Sequence, residues 1–270
     1  MLIYPQINPV AVHIGSIKVH WYGVMYFVGL LIAFFVAKQR SKTARFIFFA
    51  GKQILDDLLS YCVLGIIIGG RIGFCLLYRP DYYIAHPIEI IKIWEGGMAF
   101  HGGMVGVFVA LYLFARKHKK SFFTISDFIA PLVPFGLFTG RIGNFINGEL
   151  YGKVCQTVYN WCMVFPETDG LGRHPSQLYE AFSEGLILLL FLNIYAIKPR
   201  KTGQISGMFL IGYGTIRFVM EMFRTPDSYY YAKIILDATG LSLGQCYCIP
   251  MLISGLVIYA MAFNNKFKDM

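Results

Sequence analysis

The sequence predicts an all-α polytopic membrane protein, on three observations. Hydrophobic residues fill 56% of its 270 positions and charged ones only 14%, where a soluble globule carries about 25% charged residues. Mean hydropathy is +0.56. The apolar residues also gather in runs of about 20, the length that crosses a hydrocarbon core. So few charges cannot coat a soluble protein of this size, and the same numbers exclude disorder, a coiled coil and collagen. Lipid must receive the apolar surface, and in lipid a helix satisfies its own backbone.

Seven transmembrane helices are expected, at 19–37, 54–78, 98–115, 123–145, 178–197, 205–223 and 246–263. Pro131 and Pro134 predict a kink in the fourth, because proline removes a helical hydrogen bond. The opening MLIYPQINPV has no basic stretch ahead of an apolar one, so the first span is expected to stay as an anchor. The chain reads as a single integral-membrane domain, 1–270. The longer connections 146–177 and 224–245 are expected to build a small head on the outer face.

Charge sets the orientation. Lys38, Arg40, Lys42, Arg45 and Lys52 follow span one; Arg116, Lys117, Lys119 and Lys120 follow span three. Lys198, Arg200 and Lys201 follow span five, and Lys266 and Lys268 follow span seven. These fourteen basic residues face six on the other side: Lys18, Arg79, Lys92, Lys153, Arg173 and Lys233. The positive-inside rule then puts the N-terminus outside and the C-terminus in the cytoplasm. The net charge of +9 belongs to these short links, which argues against a nucleic-acid partner. The six cysteines are too scattered for a disulfide scaffold. Cys155 and Cys162 share one outer loop, where an oxidising compartment permits a bridge that spacing alone does not require.

With this topology the intramembrane polar residues fall at one height. Tyr22, Tyr26, His101 and Glu180 lie near the outer ends of inward-running spans, and Arg71, Arg141, Arg217 and Glu221 in the outer halves of outward-running ones. A charge at the bilayer centre costs roughly 2.5–3.5 kcal/mol on insertion scales, so such groups face the interior and act. In span six, Tyr213, Arg217, Glu221 and Arg224 share a stripe. That stripe is either an ion-pair ladder between helices or part of a site. In GRIGNFINGELYG (140–152), Arg141 and Asn144 share a face. Arg141 either snorkels outward or holds an anionic phosphate with its planar fork. The shorter GGRIG at 69–73 offers Arg71 as a second cation or as one more packing face. His101, in FHGG, is either structural or a proton-transfer group. HPSQLYEA (174–181) opens span five, with Ser176 read as its N-cap and Gln177, Tyr179 and Glu180 pointing into the same layer. No zinc-ligand spacing, P-loop, nucleophile elbow or dinucleotide fingerprint is present.

Together these motifs resemble the bacterial prolipoprotein diacylglyceryl transferases. GRIGNFINGELYG is similar to the family signature. HWYGVMY (20–26), GGRIG (69–73), FHGGMVG (100–106), RHPSQLYEA (173–181) and YGTIRFVMEMFRTPD (213–227) support it in order and spacing. The resemblance departs at Asn160-Trp161-Cys162, where the family has a Pro-Trp-Gly-like stretch. It implies an inner-membrane enzyme, active toward the periplasm, that moves a diacylglyceryl group from phosphatidylglycerol to the lipobox cysteine of a preprolipoprotein and releases glycerol phosphate. No metal or soluble cofactor is implied; the partners are membrane lipid and the lipobox segment. By position it marks Tyr22, His101, Arg141, Asn144, Glu149, Gly152, Tyr213 and Arg217 as residues the family needs. Arg141 and Arg217 would stabilise the leaving phosphate, His101 is a candidate base, and Tyr213 or Tyr22 would position the thiol or phosphate. Arg71, Gln177, Glu180 and Glu221 join Arg141, Asn144, Glu149 and Gly152 as expected substrate-binding residues. The competing reading of the same polar layer is a lipid transporter or flippase, which would need a path from both faces.

Overall fold

A computed structural model describes residues 1–14, 17–51, 53–156, 161–166, 168–225, 230–264 and 266–267. Lys52, Asn160, Pro226, Asp227 and Lys268, which entered the reading above, lie outside the described residues. The chain is a mostly helical membrane protein. Among the described residues, five helices are long and apolar enough to cross a bilayer: α1 (Trp21–Arg40), α2 (Ile54–Tyr78), α4 (Phe122–Ile146), α5 (Ser176–Ile197) and α7 (Leu243–Phe263). The other two expected spans are also helical, α3 over Phe100–Lys117 and α6 over Gln204–Met220. Both fall short of the same criterion, α6 because it has only 17 residues and α3 because it carries His101, Arg116 and Lys117. Exposed Phe27, Phe35, Leu76, Ile194 and Phe263 suit a lipid solvent rather than water.

The all-α expectation misses four short strands among the described residues: β1 (Leu2–Ile3), β2 (Val10–Ile14), β3 (Ile17–His20) and β4 (Met163–Val164). β2 and β3 are antiparallel, and β1 lies parallel to β4 with Leu2 opposite Met163. Because β3 ends at His20, α1 starts at Trp21 rather than at 19. The expected connection 224–245 contains a helix, Tyr230–Thr239. The two prolines expected to kink the fourth span fall where its winding changes. Helical geometry gives way to a 3₁₀ turn at Ala130–Leu132, then resumes at Val133.

The chain divides into two compact units, one of Met1–Val36 with Ile129–Lys266 and one built on Ala37–Phe128. In the second, α2 and α3 cross on bare backbone. A Cβ on Gly106 would stand 2.0 Å from the Gly65 carbonyl oxygen, and one on Gly102 would stand 2.3 Å from that of Gly69. The GGRIG string is therefore a packing face. Arg71 is buried and its guanidinium is committed to backbone carbonyls: Nε donates to Ile90 at 2.7 Å, Nη2 to Glu89 at 2.7 Å, and Nη1 to Gly96 at 2.5 Å and Gly97 at 3.3 Å. Arg71 thus clasps the segment that follows α2. His101 is exposed in the first turn of α3 in this unit. Toward the other helix ends, Asp127 is fully buried and pairs with Arg45 at 2.7 Å.

In the first unit the N-terminal strand fastens the end of α4. The Tyr4 hydroxyl lies 2.7 Å from both the Phe145 and Ile146 carbonyl oxygens, so it serves acceptors that a helix C-terminus leaves open. Its ring packs with Met163 and Phe165. Cys155 and Cys162 form a disulfide, and both are buried.

The α2–α3 crossing predicts a sharp contrast between glycines. Gly106→Ala should lower the thermal midpoint in detergent by about 5 °C, from overpacking worth roughly 1–3 kcal/mol. Gly136→Ala, where a Cβ would meet nothing within 4 Å, should leave it unchanged.

Candidate active site

The site forms in the first unit, where α4, α5 and α6 bring three guanidiniums to three carboxylates. Arg141 comes from the glycine-rich half of α4, Glu180 and Glu184 from α5, and Arg217 from the last turn of α6, followed by Glu221 and Arg224. Arg141 Nε lies 2.7 Å from Glu180 Oε2, and its Nη2 3.5 Å from Glu184 Oε2. Arg217 Nη1 reaches Glu180 Oε2 at 3.0 Å and Glu184 Oε1 at 3.2 Å, while its Nη2 holds Glu221. Arg224 is looser, 3.7 Å from Glu221 and 3.9 Å from Glu180. All three glutamates are buried, Glu184 completely. Charges taken this far from water persist only when paired, and here each sign meets its opposite.

Glu184 was missed by sequence reasoning. It sits within an apolar run, and its signal was the spacing of four from Glu180, which puts both acids on one helix face. A π-helical stretch at Ala181–Ile187 carries it, a device that recurs at functional sites. Arg224 belonged to the predicted stripe but had no assigned role.

The stripe on α6 is therefore both a ladder and part of the cluster. Tyr213, one turn before Arg217, stacks on Phe209 with centroids 5.9 Å apart. Glu221 is further fixed by Ser242, whose hydroxyl donates to Oε2 at 3.0 Å and accepts from Gln245 N at 3.1 Å. Ser242 is thus the N-cap of α7 as well as a support for the acid.

A second group stands beside the cluster, at the turn after α4. Asn144 Nδ2 donates to Glu149 Oε1 at 2.8 Å, and Asn147 Nδ2 donates to the same oxygen at 3.3 Å. Leu150 has φ +56, a conformation that costs a non-glycine residue roughly 1–3 kcal/mol and survives only where its surroundings hold it. HPSQLYEA supplies that hold. Ser176 Oγ donates to the Leu150 carbonyl at 3.0 Å, and Gln177 Nε2 donates to that of Glu149 at 2.6 Å. Ser176 is not the N-cap that the sequence suggested. It is the first residue of α5, and its hydroxyl is engaged by the neighbouring turn rather than by its own helix.

Gly152 contributes through closeness. Its N–H donates to the His174 carbonyl at 2.8 Å, and a Cβ there would lie 2.4 Å from the Phe223 oxygen and 2.7 Å from the His174 oxygen. It joins the three segments behind the site and has no side chain to offer a substrate. Tyr22, partly exposed in the first turn of α1, packs against Gly143 and against Tyr26 at 5.2 Å. The structure thus brings Arg141, Asn144, Glu149, Gly152, Gln177, Glu180, Tyr213, Arg217, Glu221 and Tyr22 into one unit, with Arg71 and His101 in the other.

A multi-pass membrane protein whose buried guanidiniums gather beside carboxylates and amides is one equipped to handle an anionic group away from bulk water. The chain belongs to the prolipoprotein diacylglyceryl transferase family, whose profile matches residues 9–261. It is 50% identical over 260 residues to the phosphatidylglycerol–prolipoprotein diacylglyceryl transferase of Bordetella parapertussis, covering 96% of this chain and 97% of that one. Proteins of the same name from Bordetella avium (48% identity, all of both chains) and Polaromonas naphthalenivorans (46% identity, 98% of each) are likewise similar.

Two stability effects follow. Glu184→Ala leaves guanidiniums short of a carboxylate and should destabilise by about 3–5 kcal/mol, the range for breaking a buried pair, read as a lowered thermal midpoint in detergent. Burial holds the His174 imidazole below its ordinary range, so the fold favours its neutral form. Its contribution is complete above a pH of about 6.5 and is lost as pH falls. Between about pH 7.5 and 5 the wild-type midpoint should therefore fall further than that of His174→Asn.

Proposed function

We propose that this protein transfers the diacylglyceryl group of phosphatidylglycerol to the lipobox cysteine of preprolipoproteins. The observation that carries the reading is the Arg141–Arg217–Arg224 cluster in a chain that aligns with the transferases over nearly its whole length. The cysteine sulfur attacks the terminal glyceryl carbon; a carbon–sulfur bond forms as the carbon–oxygen bond to phosphate breaks. The electron pair leaves with the phosphate oxygen, so glycerol phosphate departs with added negative charge. Preorganised guanidiniums stabilise that charge most where water is excluded. Arg141 and Arg217, the best-supported pair, take this role, and Arg224 stands behind them.

The thiol proton needs an acceptor, because the nucleophile is the thiolate and a free cysteine has a pKa of about 8.5. The FHGG motif makes His101 the candidate acceptor. Tyr22 and Tyr213 orient the reacting groups, and Asn144 and Glu149 line the substrate side of the turn. The reading takes all seven helices as spans, with the N-terminus periplasmic, the C-terminus cytoplasmic and the site toward the periplasm of the inner membrane. The fourteen-to-six distribution of basic residues supports that orientation. So does the Cys155–Cys162 disulfide in an outer connection, since such bonds persist in oxidising compartments.

Purified protein in phosphatidylglycerol vesicles with a lipobox peptide should add the mass of one diacylglyceryl group to the peptide, and a Cys→Ser peptide should gain none. Arg141→Ala and Arg217→Ala should each insert normally and lose about a hundred- to a thousandfold in rate, the scale of removing a preorganised charge donor. Lipid movement across the vesicle without covalent product would instead make the protein a flippase.

A further inference from the structure

The cluster leaves one kind of hydrogen-bonding capacity unused. Glu180 receives Arg141, Arg217 and Arg224 through a single oxygen, Oε2. Its other oxygen, Oε1, is buried and meets no donor among the described residues. Three residues earlier, on the same face of α5, the Gln177 side-chain oxygen is buried in the same condition. The Gln177 amide is not free to turn, because its nitrogen is spent on the Glu149 carbonyl at 2.6 Å. Both residues are 1% exposed. Buried acceptors in folded proteins have donors, so two of them one turn apart on α5, one of them on the carboxylate that holds the guanidiniums, describe a ligand that brings its own.

The chemistry narrows that ligand. Guanidiniums select a phosphate, and the adjacent acceptors select something attached to it that donates. An ammonium and a hydroxyl both donate, and of the two the hydroxyl is the one carried by phosphatidylglycerol, the donor lipid of the transferase reading. Resting on the transferase reading above, we infer that Gln177 and Glu180 recognise the hydroxyls of the glycerol headgroup and so determine headgroup specificity. A site built to bond a substrate hydroxyl rejects an analogue lacking it far more strongly than an apolar pocket rejects a small change in size.

The test compares donor lipids of equal acyl composition in vesicles with a lipobox peptide: phosphatidylglycerol, phosphatidylpropanol, which lacks the headgroup hydroxyls, and phosphatidylethanolamine. Wild-type protein should favour phosphatidylglycerol over each of the others by at least tenfold in kcat/KM. In Glu180→Gln the three guanidiniums hold the amide oxygen at the Oε2 position, which turns the free position from acceptor to donor. The preference for phosphatidylglycerol over phosphatidylpropanol should then fall to about threefold or less, and Gln177→Met should lower it as well. These are ratios within one variant, so a merely structural loss of rate leaves them unchanged. If turnover is too low to read, the rise in thermal midpoint produced by each lipid gives the same comparison. Equal use of phosphatidylglycerol and phosphatidylpropanol by the wild type, or an undiminished ratio in both variants, overturns the headgroup assignment and leaves the transferase intact. Failure of the wild type to modify the peptide with any lipid overturns the transferase reading itself.

Discussion

Six charges held out of water in balanced pairs are the constraint around which the first unit is arranged. An isolated guanidinium or carboxylate at that depth would be strongly unfavourable. Each must therefore be delivered to a partner by a helix whose position is fixed by something else. α4 brings Arg141 and ends where Tyr4 closes its last carbonyls. α5 brings two glutamates, and the Ser242 cap of α7 steadies a third. The cluster is formally neutral, which lets it exist in an apolar surround, and yet it presents cationic forks to an incoming anion. Stability and readiness for an anionic group come from the same six side chains.

The helices were legible because spanning segments must be long and apolar, and that demand is written in composition. The break at Pro131 and Pro134 was legible for the same kind of reason, since proline has one backbone consequence wherever it falls. Arg141, Arg217 and Glu221 were found because each shares a motif or a helical stripe with other polar residues. What escaped notice depended on contacts between distant segments. Glu184 looked like one polar residue in a hydrophobic stretch until the π turn placed it between two arginines. Ser176 had the local features of an N-cap, yet its hydroxyl serves a turn that lies 26 residues earlier in the chain. Arg71 shared a string with Arg141, and only its neighbours distinguish a clasp on carbonyls from a cluster with acids.

The strands at the N-terminus were illegible for a different reason. Two-residue pairings such as β1 with β4 have no periodicity to detect. Their consequence is larger than their size. They join the start of the chain to the loop that carries the Cys155–Cys162 bridge. From there the backbone runs through Gly152 to His174 and Phe223, so the turn bearing Glu149 is braced from three directions.

The π segment of α5 has one more implication. An α-helix turns by a constant amount per residue, so its faces are locked in phase from end to end. Residues Ala181–Ile187 are wound more widely, and the phase slips there. The first turns, with Gln177 and Glu180, are thereby released from the angular setting that Leu188 and Leu192 require for packing further along. One rod thus serves two masters, a polar cluster at one end and an apolar interior at the other, each with its own azimuth.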